Sequence, residues 1–439
     1  MTTSLDIANH ISSNTLVIHG GKPVRVEPFP QTITTGEEEL QAATEVLKSG
    51  LLSGFVGGPS PEFFGGKSVL KFEEAWSRRF NVAHSVSCNS ATSALMMAVG
   101  AAGIGPGDEV IVSPYTMSAT ATAILIYGGI PVFADIEADC FCLDPVSVKA
   151  CITPRTKAIL TTDIHGQSSD MDALNTLARQ HNLIVIADTS QSPGALYRGQ
   201  YAGAVGDIGL FSLNRHKNMQ CGEGGVAITN DPELALRMQL IRNHGENLTE
   251  AIGYKPKSLV NMIGFNFRMG EVEAAIAYEQ LKKMDALNQI RIDHVGYLNE
   301  QLSQYPALVM PKVRNDCTHV FYMHALKFLS VEAGFSRKTF IEALNAEGIP
   351  LRGGYVRPLY LEPLYQKQIA IGDKGFPFSG PHYVGVVNYA KGICPVAEDM
   401  FEDKIVINAY VYPPLTRTDM EQIVAGVGKV FDNSAKLRK

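Results

Sequence analysis

An apolar run, Leu183-Ile184-Val185-Ile186-Ala187, ends in Asp188. A buried strand that carries a carboxylate at its carboxyl end presents it where open α/β sheets bind ligands. Lys217 follows 29 residues later in Phe211-Ser212-Leu213-Asn214-Arg215-His216-Lys217, just ahead of Gly222-Glu223-Gly224-Gly225. Upstream, Asn89-Ser90-Ala91-Thr92 opens a helix with small, hydroxyl-bearing residues. Such a helix start offers free backbone N–H groups and the positive end of a dipole, which suits a phosphate. Taken singly, each feature has an ordinary role: a carboxylate after a strand caps a helix, a lysine near glycines is solvated, and a threonine opens a helix. In this order they form a carboxylate, an amine and an anion cradle, the set that pyridoxal phosphate requires. The lysine would form the Schiff base, the carboxylate would pair with the pyridine nitrogen, and the helix end would hold the phosphate.

Other motifs fail on context. Gly66-Lys67-Ser68 resembles the end of a nucleotide-phosphate loop, but Pro61 stands where the first glycine belongs and no apolar strand feeds it. Gly103-Ile104-Gly105 begins like a dinucleotide fingerprint, yet Asp108 takes the third glycine position and the segment precedes a strand. No HExxH and no clustered His/Cys spacing supports a metal, and no Gly-x-Ser-x-Gly elbow is present. The chain of 439 residues carries 38 Lys and Arg against 44 Asp and Glu, a formal charge of −6. No global basic field is available for nucleic acid or an anionic membrane. The uncharged stretch Val110–Ala134 is broken by Pro114, Gly128, Gly129 and Pro131, so it reads as strand, helix and strand and not as a membrane span. The amino terminus lacks a basic start followed by an apolar core, and seven scattered cysteines form no CxxC pair. These features fit a reduced, cytoplasmic setting.

The elements that must position these groups follow from periodicity. Helices are expected at 37–48, 68–80, 92–102, 117–127, 145–151 and 170–181, alternating with strands at 109–112, 131–134, 158–161 and 183–187. This regular alternation, with apolar runs of four to six, predicts an α/β fold with a mainly parallel central sheet covered by helices on both faces. A near-continuous helical pattern spans 268–302. Residues 319–327, 334–347 and 403–431 then read as strand, helix, and strand with helix. The expected organisation is a mobile segment 1–15, a large cofactor-binding domain 16–265, a long connecting helix 266–305 and a smaller α+β domain 306–439.

At this point the chain resembles the DegT/DnrJ/StrS sugar aminotransferases, a family of fold-type I pyridoxal-phosphate enzymes. The resemblance runs from about Leu16 to Val430. It rests on Gly105–Val112, Ile152–Ile159, Asp170–Leu174, Phe211-Ser212 with Lys217 and Gly222–Gly225, Arg242–Gly245, Gly264–Met269 and Cys394–Glu398. It implies that Lys217 is the Schiff-base lysine and that Asp188 keeps the pyridine nitrogen protonated. Gln191 would contact the ring hydroxyl, and Ala91, Thr92 and Ser212 would bind phosphate. Asn266 would reach the phosphate of a neighbouring subunit, making a homodimer necessary. Met117 stands where an aromatic residue commonly stacks on the cofactor, and Ala91 where glycine is usual. Asp163-Ile164-His165-Gly166 replaces a histidine-and-tyrosine pattern. His165, His319 and Tyr355 are candidate substrate contacts, with ordinary packing roles as the alternative.

The implied reaction is a ping-pong transfer of an amino group from glutamate or glutamine to a keto-sugar or keto-cyclitol. Leu16-Val17-Ile18-His19-Gly20-Gly21-Lys22-Pro23-Val24-Arg25 is similar to the opening of members that act on ring ketones of the cyclitol type. Relatives with histidine at the lysine position act as sugar dehydratases, but the register here puts Lys217, not His216, on that position. A dehydratase or ring-aromatising enzyme on the same scaffold, and a non-enzymatic sensor of pyridoxal phosphate or a sugar, are the competing readings.

Overall fold

The computed structural model describes residues 14–247 and 257–438. The expected mobile segment 1–15 therefore lies almost wholly outside the described residues. Helix α1 (Glu37–Ser49) ends at Gly50, whose positive φ suits a helix stop, and a Gly/Pro/Phe-rich loop leads to α2 (Lys67–Phe80). Next come β1 (His84–Cys88), α3 (Ala91–Ala101), β2 (Glu109–Val112), α4 (Ser118–Ile126), β3 (Ile130–Phe133) and α5 (Pro145–Cys151). After these follow β4 (Thr156–Thr162), α6 (Met171–His181), β5 (Ile184–Asp188) and a small hairpin, β6 (Leu196–Tyr197) with β7 (Gln200–Tyr201). The strands β8 (Ile208–Ser212) and β9 (Gly225–Thr229) and helix α7 (Pro232–Arg242) complete the first unit.

Seven strands form one sheet in the order β1-β9-β8-β5-β4-β2-β3. Only β9 runs against the others, so the sheet is mainly parallel. Side chains alternate between its two faces as the period-two geometry of a strand demands. Val110, Val112, Leu160, Ile186 and Leu210 join one core with α3, α4 and α7. On the other face, Ile111, Ile159, Val185 and Ala187 pack with α5 and α6, while Phe211, Val226 and Ile228 pack with Phe72 and Trp76 of α2. Periodicity alone does not resolve β1, β8 and β9, because their small and polar residues lack a long apolar run.

The long helix α8 (Glu271–Leu302) starts after Gly270, so residues 266–270 precede it and are not helical. Its 32 residues span about 48 Å at 1.5 Å per residue. Ala274, Ala277, Leu281 and Met284 lie in the core beneath α2, whereas Val295, Leu298 and Leu302 belong to a separate core. That second core covers a four-stranded antiparallel sheet, in the order β10 (Leu308–Val309), β11 (His324–Phe328), β13 (Ile405–Asn408), β12 (Arg352–Gly353). Helices α9 (Arg337–Ala346) and α10 (Arg417–Asp432) complete it. Two packing facts cut across the expected boundaries. Leu16, grouped by chain order with the large unit, is fully buried in the C-terminal core, and the Val17 N–H donates to Glu347. Conversely Tyr360, Tyr365, Tyr383 and Tyr389 leave the C-terminal stretch to pack on the large sheet's core. Residues 319–323 are irregular, bending at 322–323, and the expected strand begins only at His324.

Candidate active site

The candidate residues converge on one edge of the large sheet, the carboxyl ends of the parallel strands. Asp188 closes β5 in the sheet's interior, paired in register with Thr162 on one side and Leu210 on the other. The residue is 4 % exposed. It accepts hydrogen bonds from the Thr120 hydroxyl at 2.9 Å and the Ser190 N–H at 3.2 Å. Thr120 is linked in turn through Thr116 to Thr162, at 3.1 and 3.2 Å. Thr120 had no sequence signal of its own. A threonine inside a helix is ordinary until the fold sets it against a buried carboxylate.

Lys217 sits in the turn between β8 and β9. This turn is closed by the Lys217 N–H donating to the Asn214 carbonyl at 2.9 Å and the Arg215 N–H to the Gly222 carbonyl at 3.0 Å. Gly222 has φ +89°, a conformation glycine adopts without a Cβ penalty. The Lys217 side chain is half-buried. Desolvation lowers its amine pKa to about 8, and the Asp188 carboxylate opposes that shift. The two groups are thus near enough to feel each other's charge. His216, the adjacent residue, is exposed.

The anion cradle follows from strand register. Cys88, Gly225 and Ser212 share one row across β1, β9 and β8. Helix α3 begins just beyond Cys88, with Ser90 as N-cap accepting from the Ser93 N–H at 3.1 Å. The first two N–H groups, of Ala91 and Thr92, have no partner within the helix. A Cβ on Gly225 would lie 2.5 Å from the Ser90 carbonyl oxygen and 2.7 Å from the Ala91 nitrogen, so only glycine lets the helix start approach the sheet here. Ala91 is the first helical residue and is not among the positive-φ positions, so its methyl is accommodated.

Gln191 brings together two more candidates. Its Oε1 accepts from the His165 N–H at 2.9 Å, and its Nε2 donates to the Tyr355 hydroxyl at 3.0 Å. The His165 ring is boxed by Tyr115, Phe141 and Tyr355, with centroids 5.9, 5.9 and 5.1 Å away. Both of its ring nitrogens are buried without a hydrogen-bond partner, and burial pushes its pKa down to about 3. Neighbouring Asp163 is equally buried. It accepts from Ser169 N–H and Thr189 Oγ1 at 2.8 Å each, and burial raises its pKa to about 6.

His319 has a different setting. Its ring stacks on Phe321 at 3.9 Å, its Nδ1 accepts from the Phe321 N–H, and Gly166 leaves room for it. Burial holds it neutral, and its contacts are those of a packed residue. Met117 is the N-cap of α4 and is 59 % exposed. Asn266 is also exposed, in a stretch tied to the cradle through the Asn89 N–H and the Phe267 carbonyl at 2.9 Å. Neither is drawn into the buried cluster around Asp188. Gly66-Lys67-Ser68 opens α2, where the Ser68 N–H donates to Glu271 at 2.6 Å. An internal carboxylate thus takes up the helix end that an incoming phosphate would need.

The family described as the DegT/DnrJ/EryC1/StrS aminotransferase family matches residues 33–428. An L-glutamine:2-deoxy-scyllo-inosose aminotransferase of Streptoalloteichus tenebrarius is 32% identical over 437 residues, covering 96% of this chain and 99% of that protein. The GDP-perosamine synthase of Caulobacter vibrioides is 37% identical over 301 residues, 68% of this chain and 79% of its own. Among solved structures, an aminotransferase from Psychrobacter cryohalolentis superposes with a TM-score of 0.79 at 27% identity, covering 93% of this chain and all of that one. With the family matched along nine-tenths of its length, this chain belongs to the DegT/DnrJ/EryC1/StrS aminotransferase family and is an aminotransferase.

Proposed function

We propose that the protein binds pyridoxal phosphate and moves an amino group from glutamate or glutamine to a keto-sugar or keto-cyclitol. The carrying observation is Lys217, its amine desolvated beside the Asp188 carboxylate in the turn that leaves Ser212 next to the open start of α3. The residues fit the cofactor. The cradle between Gly225 and Ala91 would be closed by a single methyl, and its donors are N–H and hydroxyl groups that suit a phosphate. Asp188 would hold the ring nitrogen, Gln191 the ring hydroxyl, Ala91, Thr92 and Ser212 the phosphate, and Met117 one ring face.

Bound there, pyridoxal phosphate would supply the electron sink that makes a proton on the substrate carbon removable. Asp188, held by Thr120 and Ser190, would pair with the ring nitrogen and favour its protonated form. The Lys217 amine, with a pKa of about 8, can take and return a proton near neutral pH as general base and acid. His165 and Tyr355, joined through Gln191, line the buried side and are our candidates for contacting substrate, with His319 assigned to packing.

Asn266 would contribute to the site of a second subunit. In support, Leu40, Leu47, Leu51 and Leu52, along and just after α1, leave apolar surface exposed. All seven cysteines are free, consistent with a reducing compartment such as the cytoplasm, and no helix among the described residues is long and apolar enough to cross a membrane. The acceptor class is supported by the inosose aminotransferase, which aligns from end to end.

A spectroscopic screen tests the reading. The protein is loaded in its amino form and offered keto-cyclitols, nucleotide-linked keto-sugars and free keto-sugars. Return of the visible absorbance with one of them, together with consumption of glutamate or glutamine, is expected. Release of deoxygenated product without amino-donor consumption would point to a dehydratase. Cofactor binding without any half-reaction would point to a sensor.

A further inference from the structure

Tyr322 belongs to no motif, yet its ring faces the amine on which the proposed reaction turns. The Lys217 Nζ lies 4.6 Å from the ring centroid. The bend that carries Tyr322 is strongly held. Val320 N–H donates to the Gly166 carbonyl at 2.7 Å and Met323 N–H to the His165 carbonyl at 3.3 Å. Phe321 adopts φ +46°, a costly conformation for a bulky residue that persists only where surroundings impose it. From α8, Arg291 donates to the Tyr322 carbonyl at 3.2 Å. Asn218, next in the chain after Lys217, donates to the Val320 carbonyl at 3.0 Å and to Asn288 of α8 at 2.8 Å. The backbone bearing the amine and the backbone bearing the ring are therefore tied to each other and to one helix.

The amine must be neutral to take a proton and cationic to give one. Asp188 from β5 and His216 on its own turn act on it by charge; Arg215 and Glu223 flank His216, Arg291 of α8 stands behind Tyr322, and Tyr355 is near Tyr322 and Asp188. Burial disfavours the cation, and Asp188 favours it by charge. Under the proposed function Asp188 is paired with the ring nitrogen, so its pull on Nζ is largely cancelled. An aromatic face stabilises a cation through its quadrupole without adding a competing acceptor.

We propose that the ring face of Tyr322 is a catalytic group of this enzyme: it stabilises the ammonium that Lys217 becomes on taking a proton from the substrate carbon. When that same proton is passed on, the amine is neutral again, so one proton is taken up and one returned. Asn218 acts as a positioning residue through the bend. This inference rests on the reading of Lys217 as the proton carrier.

The test measures the amine directly. The full chain, freed of cofactor, is labelled with acetic anhydride over a pH series, and modification is read by mass spectrometry on the peptide containing Lys217. Tyr322→Leu is expected to weaken proton binding at that amine by about two- to fivefold, shifting the labelling midpoint to lower pH. Tyr322→Phe, which keeps the face and loses the hydroxyl, should leave the midpoint in place, and Asn218→Ala should move it in the direction of Tyr322→Leu. An unchanged midpoint in Tyr322→Leu, or an equal shift in Tyr322→Phe, overturns the proposal. Should Tyr322→Leu not fold, Tyr322→Trp serves instead: its stronger face should raise the midpoint, and no rise overturns the proposal. A separate arm treats the wild type with pyridoxal phosphate and borohydride. Absence of a tag on Lys217 there would sink the cofactor reading, whereas the labelling midpoints judge Tyr322.

Discussion

Asp188 is held by two donors from different parts of the chain, and the shorter contact comes from a helix threonine. Replacing Thr120 by Val keeps the shape and removes the hydroxyl, leaving a buried carboxylate with one partner fewer. A loss of about 1–3 kcal/mol is expected, read as roughly 5- to 150-fold weaker pyridoxal phosphate binding in a fluorescence titration. The Lys217 amine carries a pH signature. Its pKa is lowered from the ordinary value of 10.5 to about 8, so it is neutral, and able to attack an aldehyde, above that pH. The rate of cofactor capture by the stripped protein should rise through about pH 8 and then level off, and a rate flat from pH 6 to 10 would contradict this. The sign for stability follows as well. Between about pH 8 and 10.5 the unfolded chain holds a proton on this lysine that the folded chain does not, so its contribution makes stability rise with pH across that window. His165 behaves alike at lower pH. Its folded pKa of about 3 lies below the ordinary 6.5, so the stability its neutral form supports is lost as pH falls from 6.5 towards 3. His165→Phe should shift acid unfolding, followed by circular dichroism, to lower pH.

Among the elements, the turn from β8 to β9 and the start of α3 depend on glycine for different reasons. Gly222 needs φ +89° and has open space around it, whereas Gly225 has no room for a side chain. Gly225→Ala would press a methyl against the backbone of Ser90 and Ala91, which cannot yield as a flexible side chain can. The expected cost is roughly 1–3 kcal/mol in thermal denaturation, with a larger loss of cofactor phosphate affinity than Gly222→Ala causes. The edge of the sheet shows another device. Strand β3 would present unpaired backbone groups, but Tyr389 from the C-terminal stretch donates to the Pro131 carbonyl at 2.7 Å and its ring packs on Phe133. That stretch thereby joins the large core, although its place in the chain suggested the smaller unit.

For the whole molecule the central question is whether one chain makes a complete site. Asn266 is exposed, as a residue serving a second subunit would be. If so, Lys217→Ala and Asn266→Leu, each inactive alone, should complement when co-refolded. Random pairing of the two chains gives up to about a quarter of sites intact, measurable as recovered amino transfer. No recovery, with mixed dimers confirmed by mass, would assign Asn266 to its own chain.

Composition, charge and periodicity by themselves determined the α/β class and the mainly parallel sheet, because apolar runs and helical spacing report burial locally. Residue order also exposed Lys217, Asp188 and the helix start at Ala91 and Thr92, since each carries its chemistry in a short segment. What only the tertiary structure decided is everything that depends on register and on distant segments meeting. That includes Thr120 on Asp188, Gly225 under the helix start, Tyr322 over the lysine, and Leu16 buried in the opposite core. These contacts join residues tens to hundreds of positions apart. No local pattern encodes such pairings, because the strand order and the crossing of α8 between the two cores bring them together.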